Sequence, residues 1–180
     1  MDAAPLSPEL LRALAKIELV ALDVDGVLTD GSIHYSSAPD GPTVEHQVFH
    51  VHDGAGLVQL RRSGVAVVWI TGRGCGATEH RARELDCELH AGVGPKQAKL
   101  EDVQKRLGIG REATLCMGDD LPDLGLAEAS QLFFVPRDAR PELRERADHV
   151  TLACGGRGAV REVCDAILEA RGDGPVKTPG

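Results

Sequence analysis

Aromatic side chains are scarce in this 180-residue chain: three Phe, one Tyr and one Trp make up 3% of it. A core must therefore be assembled from Val, Leu, Ile and Ala. Positive charge is also short, with 20 Lys and Arg against 28 Asp and Glu and a formal net charge of -8. Nonspecific nucleic-acid binding needs a basic footprint, so that class of partner is excluded. No apolar run approaches membrane-spanning length, and the opening MDAAPLSPEL lacks the basic and apolar regions of a signal peptide. A cytoplasmic address with no membrane contact is the expectation. The five cysteines, Cys75, Cys87, Cys116, Cys154 and Cys164, form no C-x-x-C pair. Their scatter suits neither a zinc site nor a disulfide framework, and they read as reduced small hydrophobes.

Against these absences stands an ordinary globular composition, 42% hydrophobic and 27% charged. The length fits one domain, assigned to residues 1–171, with the tail GDGPVKTPG (172–180) expected to be disordered. Apolar runs of strand length alternate with helical periodicity. Residues 18–24 (ELVALDV), 65–71 (VAVVWIT), 113–118 (ATLCMG) and 131–135 (QLFFV) read as strands buried on both faces, with a weaker strand near 88–91. Between them, 53–63, 77–85, 96–107 and 122–129 carry helical spacing, and a last helix is expected over 158–170. Gly64 and Gly108 sit where left-handed caps belong. This alternation predicts an α/β fold, a doubly wound parallel sheet. One segment breaks the rhythm: GSIHY and VEHQVFHV flank a loop of Pro, Gly, Ser and Asp and predict a β-hairpin inserted over about 31–51.

The stretch LDVDGVLTDG ends an apolar strand with Asp23 and Asp25, two carboxylates that repulsion and desolvation both oppose. In a doubly wound sheet, ligands bind at the carboxyl ends of the strands. Strands ending LDVDG, WITGR and CMGDD deliver Asp23, Asp25, Thr71, Asp119 and Asp120 to that edge. Four converging carboxylates call for a hard divalent cation with oxygen ligands, and Mg²⁺ fits. A metal beside a cation and hydroxyl donors is equipment for phosphoryl transfer, and Lys96, opening a helix after GVGP, can supply the cation. The bland readings are turn formation and helix capping for Asp23 and Asp25, and a solvated helix-start lysine for Lys96. A rival lies in CGATEHR, where Cys75 and Arg81 have the spacing of a cysteine-dependent phosphatase loop; Glu79 within it argues against an anion cradle. His46, His50 and His52 alternate along one expected strand and so share a face, either as a three-histidine metal site or, better, as polar contacts of a flap or subunit interface.

These residues resemble the haloacid dehalogenase superfamily, whose four motifs match DVDGV, ITG, Lys96 and GDDLPD in order. Within it, LDVDGVLTDG, VHDGAGL, WITGR, MGDDLPD, ADHVT and GGRGAVREVCDAIL look like the Kdo-8-phosphate phosphatase group over about residues 15–170. The resemblance implies a capless phosphatase with Asp23 as nucleophile and Asp25 as acid and base. It implies Thr71 and Lys96 on the phosphoryl oxygens, and Mg²⁺ on Asp23, the Asp25 carbonyl and Asp119, with Asp120 and Asp123 in support. Substrate contacts fall on Gly26, on His50, His52, Asp53 and Gly54, on Gly72 and Arg73, and on Arg81; Arg157 in GGRG is expected to reach a neighbouring subunit's site. The implied substrate is a phosphorylated 2-keto-3-deoxy sugar acid, Kdo 8-phosphate first and a sialic-type 9-phosphate second, in a homotetramer. Relatives that look like accessory domains of larger synthases or carboxylases supply the alternative, an oligomerisation module with a vestigial site. The chain departs from the group where His52 and Val58 replace basic residues and where FFVPRDARPE is bulkier and more basic. Those changes bear on the sugar more than on the chemistry.

Overall fold

The computed structural model describes residues 6–173. The chain opens with α1 (Pro8–Leu14) and β1 (Leu19–Leu22), then forms a hairpin from β2 (His34–Ser37) and β3 (Thr43–His46). There follow α2 (Val51–Arg62), β4 (Ala66–Ile70), α3 (Gly76–Glu84), β5 (Glu88–His90), α4 (Lys96–Leu107) and β6 (Thr114–Met117). The chain finishes with α5 (Leu124–Glu128), β7 (Leu132–Val135), α6 (Pro141–Arg144), β8 (His149–Val150) and α7 (Ala159–Arg171). Six strands form a parallel sheet in the order β5-β4-β1-β6-β7-β8, while β2 and β3 pair only with each other. The fold is the expected doubly wound α/β sheet.

Alternate side chains of each central strand feed two core layers. Val20 and Leu22 join Leu57 and Leu60 of α2 and Val160 and Ile167 of α7. Leu19 and Ala21 join Leu100 and Val103 of α4 and Leu126 of α5 on the other face. That two-sided burial is why β1, β6 and β7 read as continuous apolar runs rather than as alternation. Each fully buried Leu or Ile contributes roughly 1.5–3 kcal/mol, so aliphatic residues sustain the core despite the scarcity of rings. Strand order reverses at β1: the chain steps outward to β4 and β5, then returns to β6 on the other side. Ligand sites of such sheets lie at that reversal, beyond the carboxyl ends. Between β1 and β4 lie the hairpin and α2, and between β4 and α4 lie α3 and β5. Among the described residues no further layer covers that end of the sheet.

The hairpin is shorter than expected. β3 stops at His46 and α2 begins at Val51, so His46, His50 and His52 do not alternate along one strand. Instead His50 is the N-cap of α2 and stacks edge-on to His52 at 4.9 Å, while His46 binds the Ser36 hydroxyl across the hairpin at 2.7 Å. The three imidazoles do not converge. Of the expected tail, Gly172 caps α7 with a φ of 78°; residues 174–180 lie outside the described residues.

Candidate active site

Asp23 is the first residue past β1, and its N–H donates to the Met117 carbonyl at 3.0 Å, carrying the ladder one step beyond both strands. The carboxylate so fixed is buried (6% exposed). Lys96 opens α4 and is equally buried; a cation there sits badly with the positive end of the helix dipole. Two carboxylates outweigh that penalty: Lys96 Nζ donates to Asp23 Oδ1 at 2.7 Å and to Asp123 Oδ1 at 2.5 Å. The Asp123 Oδ2 atom accepts from the N–H groups of Asp119 at 2.9 Å and Asp120 at 3.3 Å, which folds GDDLPD into its 3₁₀ turn. Asp120 caps the same turn and lies 3.6 Å from Arg140.

Asp119 completes the cluster. Its Oδ1 is buried and accepts no hydrogen bond, and a Cβ at Gly26 (φ 91°) would fall inside the Asp119 carboxylate. A glycine in left-handed backbone is therefore required where DVDG turns. One oxygen from each of Asp23, Asp119 and Asp123 lies within 4.8 Å of the others, the one such group found among the described residues. An all-oxygen set with an orphaned carboxylate oxygen fits a hard divalent cation. The third carboxylate is Asp123, placed by sequence reading in a supporting role, and both its oxygens are already engaged. Burial, and then repulsion from neighbouring carboxylates, push Asp23 up to about 7 and Asp119 up to about 8. Burial alone would lower the Lys96 ammonium, but Asp23 and Asp123 outweigh it and hold it above its ordinary value.

Asp25 stands two residues on and is partly exposed. Gln47 Nε2 donates to its Oδ1 at 2.9 Å; the Thr71 hydroxyl (3.5 Å) and Arg73 Nε (3.7 Å) lie beside its Oδ2. Arg73 also pairs with Glu45 of β3 at 2.7 Å, and Gly72 is exposed between Thr71 and Arg73. Asp23, Asp25, Thr71, Arg73, Lys96, Asp119, Asp120 and Asp123 are thus brought together at one edge. Other expected contacts have different partners. Both oxygens of buried Asp53 accept from the N-terminus of α7, from Arg161 N at 2.8 Å and Gly158 N at 3.3 Å. Arg81 pairs with Glu84 at 2.7 Å and lies against Gly54. Arg157 pairs with Asp30 of its own chain at 3.0 Å. The Cys75–Arg81 cradle is a correction: Gly76–Glu84 is a helix and not a loop wrapped around an anion, and from Glu79 on its N–H groups run into the helix, as Glu79 N does to the Cys75 carbonyl at 3.0 Å.

Sequence reading missed Gln47, Glu45 and Thr78. The one available signal was that Glu45 and Gln47 are two residues apart and therefore face alike. It also missed what GGRG does within the subunit. A Cβ on Gly155 would collide with the Gly26 carbonyl and one on Gly156 with Thr29, while Gly156 N donates to the Val27 carbonyl at 2.9 Å. These glycines let the loop press directly on the turn that carries Asp25.

No protein-family model matches the chain. It is 40% identical over 169 residues to the 3-deoxy-D-manno-octulosonate 8-phosphate phosphatase of Salmonella typhimurium, covering 93% of this chain and 88% of that protein. The structure of the phosphatase of that name from Moraxella catarrhalis, in complex with a magnesium ion, a phosphate ion and KDO, superposes with a TM-score of 0.86 at 37% identity, over 92% of this chain and 93% of the other. The cobalt-bound deoxy-D-mannose-octulosonate 8-phosphate phosphatase of Haemophilus influenzae gives 0.85 at 34% identity, over 93% and 96%.

Proposed function

The chain belongs to the 3-deoxy-D-manno-octulosonate 8-phosphate phosphatase family of the haloacid dehalogenase superfamily, and from that membership we propose that it hydrolyses the 8-phosphate of that sugar acid through an aspartyl-phosphate on Asp23. It is a phosphoric monoester hydrolase that takes a divalent metal. The observation that carries the mechanism is the pairing of one Asp23 oxygen with Lys96 at 2.7 Å, at a strand end where Asp25 and Asp119 also converge. Lys96 orients the Asp23 carboxylate and offers the transferring phosphoryl group a buried positive charge. Asp23 attacks phosphorus, the bond from phosphorus to the sugar oxygen breaks, and Asp25 delivers a proton to that oxygen. Asp25 then takes a proton from the water that attacks the aspartyl-phosphate, and inorganic phosphate leaves. Thr71 holds a phosphoryl oxygen beside Lys96. Asp23, Asp119 and the Asp25 carbonyl would hold Mg²⁺, which supplies Lewis-acid charge and screens the carboxylates from the incoming phosphate.

Intact Asp23, Asp25, Lys96 and Asp119 favour catalysis over a vestigial accessory role. Gly72, Arg73 and the exposed start of the His50–Gly54 segment border the sugar, and a nine-carbon sialic-type 9-phosphate is the second-ranked substrate; His52 and Val58, standing where the group carries basic residues, bear on the sugar rather than on the chemistry. We further propose a cytoplasmic homotetramer, in which Arg157 serves a neighbour's site. Among the described residues no helix is long and apolar enough to cross a membrane. Phosphate release from a panel of phosphorylated sugar acids with Mg²⁺ tests the substrate. Asp23→Asn abolishes release, because an amide is both a poor nucleophile and a poor metal ligand, while Cys75→Ser keeps most of it. The reverse pattern would overturn the mechanism.

A further inference from the structure

We infer that Gln47 is a positioning residue for Asp25, selecting which of its two oxygens delivers the proton; the inference rests on the acid–base role proposed above. Gln47 follows β3 and is half-buried although its neighbours His46 and Val48 are exposed. Its carboxamide spans two distant segments. Nε2 donates to Asp25 Oδ1 at 2.9 Å, and Oε1 accepts from the hydroxyl of Thr78, buried in the first turn of α3. The chemistry of the partners fixes the orientation of the amide. An ionised carboxylate only accepts, so the NH₂ side must face Asp25 and the carbonyl falls to Thr78, whose hydroxyl can donate. A flipped amide would set oxygen against oxygen.

The consequence is an asymmetric carboxyl group. Oδ1 is held by the short bond from a donor that cannot receive a proton, whereas Oδ2 makes only longer contacts, to the Thr71 hydroxyl at 3.5 Å and to Arg73 Nε at 3.7 Å, so Oδ2 is the oxygen free to exchange a proton. On that side lie the Thr71 hydroxyl, which flanks the phosphoryl site, and Arg73, itself held by Glu45 of β3. The hairpin is therefore a strut that reaches Asp25 from two points, and Gln47 is the one in direct contact with the carboxylate.

A general acid matters most when the leaving group is a poor one, and this supplies a readout that plain structural damage would not give. First-turnover release of alcohol is measured for 3-deoxy-D-manno-octulosonate 8-phosphate, which leaves as an alkoxide, and of phenol for p-nitrophenyl phosphate, which needs no proton. Gln47→Leu and Thr78→Val each lower release from the sugar ester by about 10-fold or more and from the aryl ester by less than about 3-fold, while Thr78→Ser retains the wild-type rates. Because Gln47 acts through Asp25, Gln47→Leu adds no further loss in an Asp25→Asn background. Equal losses on both esters, no loss, or the same fold-loss with and without the Asp25 carboxylate would overturn the inference. The Thr78 pair keeps the test open if the Leu variant misfolds. If Asp25→Asn itself treats both esters alike, the proposed acid role fails instead, and the assignment of Gln47 falls with it.

Discussion

Asp23, Asp119 and Asp123 share one ammonium, that of Lys96, and this imbalance sets how the metal-free protein responds to pH. Asp23 near 7 and Asp119 near 8 both stand above the ordinary carboxylate value of 3.8. A raised folded-state value means that the native protein holds the proton more tightly than the unfolded chain does. The associated stability is fully present below 3.8 and is lost as pH rises through 7 to 8. In thermal melts with chelator, the midpoint contributed by these groups therefore falls between pH 5.5 and 8.5. Added Mg²⁺ takes the proton's place, so it raises the midpoint more at pH 8.5 than at 5.5. An equal gain at both values would show that the metal does not sit on these carboxylates. Asp25 differs from its neighbours in that its side chain points at donors and only its carbonyl is assigned to metal. Asp25→Asn keeps that carbonyl, so turnover falls by about 10²–10⁴, the usual worth of acid–base catalysis, with no change in the Mg²⁺ concentration for half-activation. A rate restored by excess Mg²⁺ would reassign the side chain to the metal.

Among the elements, the start of α7 is held from outside itself. The helix begins at Gly158 with no side-chain cap of its own, and Asp53 of α2 accepts two of its first N–H groups. Asp53→Ala leaves both donors unsatisfied in a buried setting and lowers unfolding free energy by about 1–3 kcal/mol in denaturant titrations, while Asp53→Asn, which keeps one acceptor, costs less. The same loss loosens GGRG against the Gly26 turn, so the Ala variant also turns over more slowly. This arrangement shows what the sequence made legible and what it hid. Central strands announced themselves because burial on both faces leaves apolar runs, and α4 was bounded by Lys96 and by Gly108, whose φ of 68° ends it. The start of α2 was displaced by two residues because His50 gives it no side-chain cap and Val51 and His52 continue an alternating pattern. α1, the four-residue α6 and the two-residue β8 were missed; the last two are too short for any period to show. Asp23, Lys96 and Asp119 were readable because each closes a strand or opens a helix. The pairs Asp53 with α7 and Gln47 with Thr78 join segments distant in sequence, and no local pattern encodes them.

At the scale of the whole molecule, the hairpin is the part that the monomer leaves unsatisfied. β2 and β3 pair with each other alone, every residue of β2 is exposed, and an isolated two-stranded hairpin is marginal in water. Its apolar side chains lie open: Tyr35 is 63% exposed, Val44 47% and Val48 57%, with Val51 at the start of α2 at 76%. Glu45 and Gln47 serve the subunit's own site, whereas Val44 lies on the opposite face of β3 and is free to pack elsewhere. Exposed edges and valines together call for further copies of the same hairpin, and hairpins from several subunits can close into a barrel that has no edge. Light scattering is expected to give about four times the 19.1 kDa of one chain. Val44→Lys with Val48→Lys buries charge at that contact, so it shifts the mass towards 19.1 kDa and lowers activity, since the described residues include no cap layer to exclude water in place of the neighbours. A fully active wild-type monomer would refute the assembly. Arg157 decides whether the neighbours also contribute chemistry. Within its own chain it pairs with Asp30, but it is exposed, and that pair is weakly held. Arg157→Ala should weaken substrate binding and leave the mass unchanged. Mixed tetramers of Arg157→Ala and Asp23→Asn subunits regain activity if Arg157 works across the interface, because some sites then receive Asp23 from one subunit and Arg157 from the next. They stay inactive beyond the sum of their parts if it works only where it is bonded in the monomer.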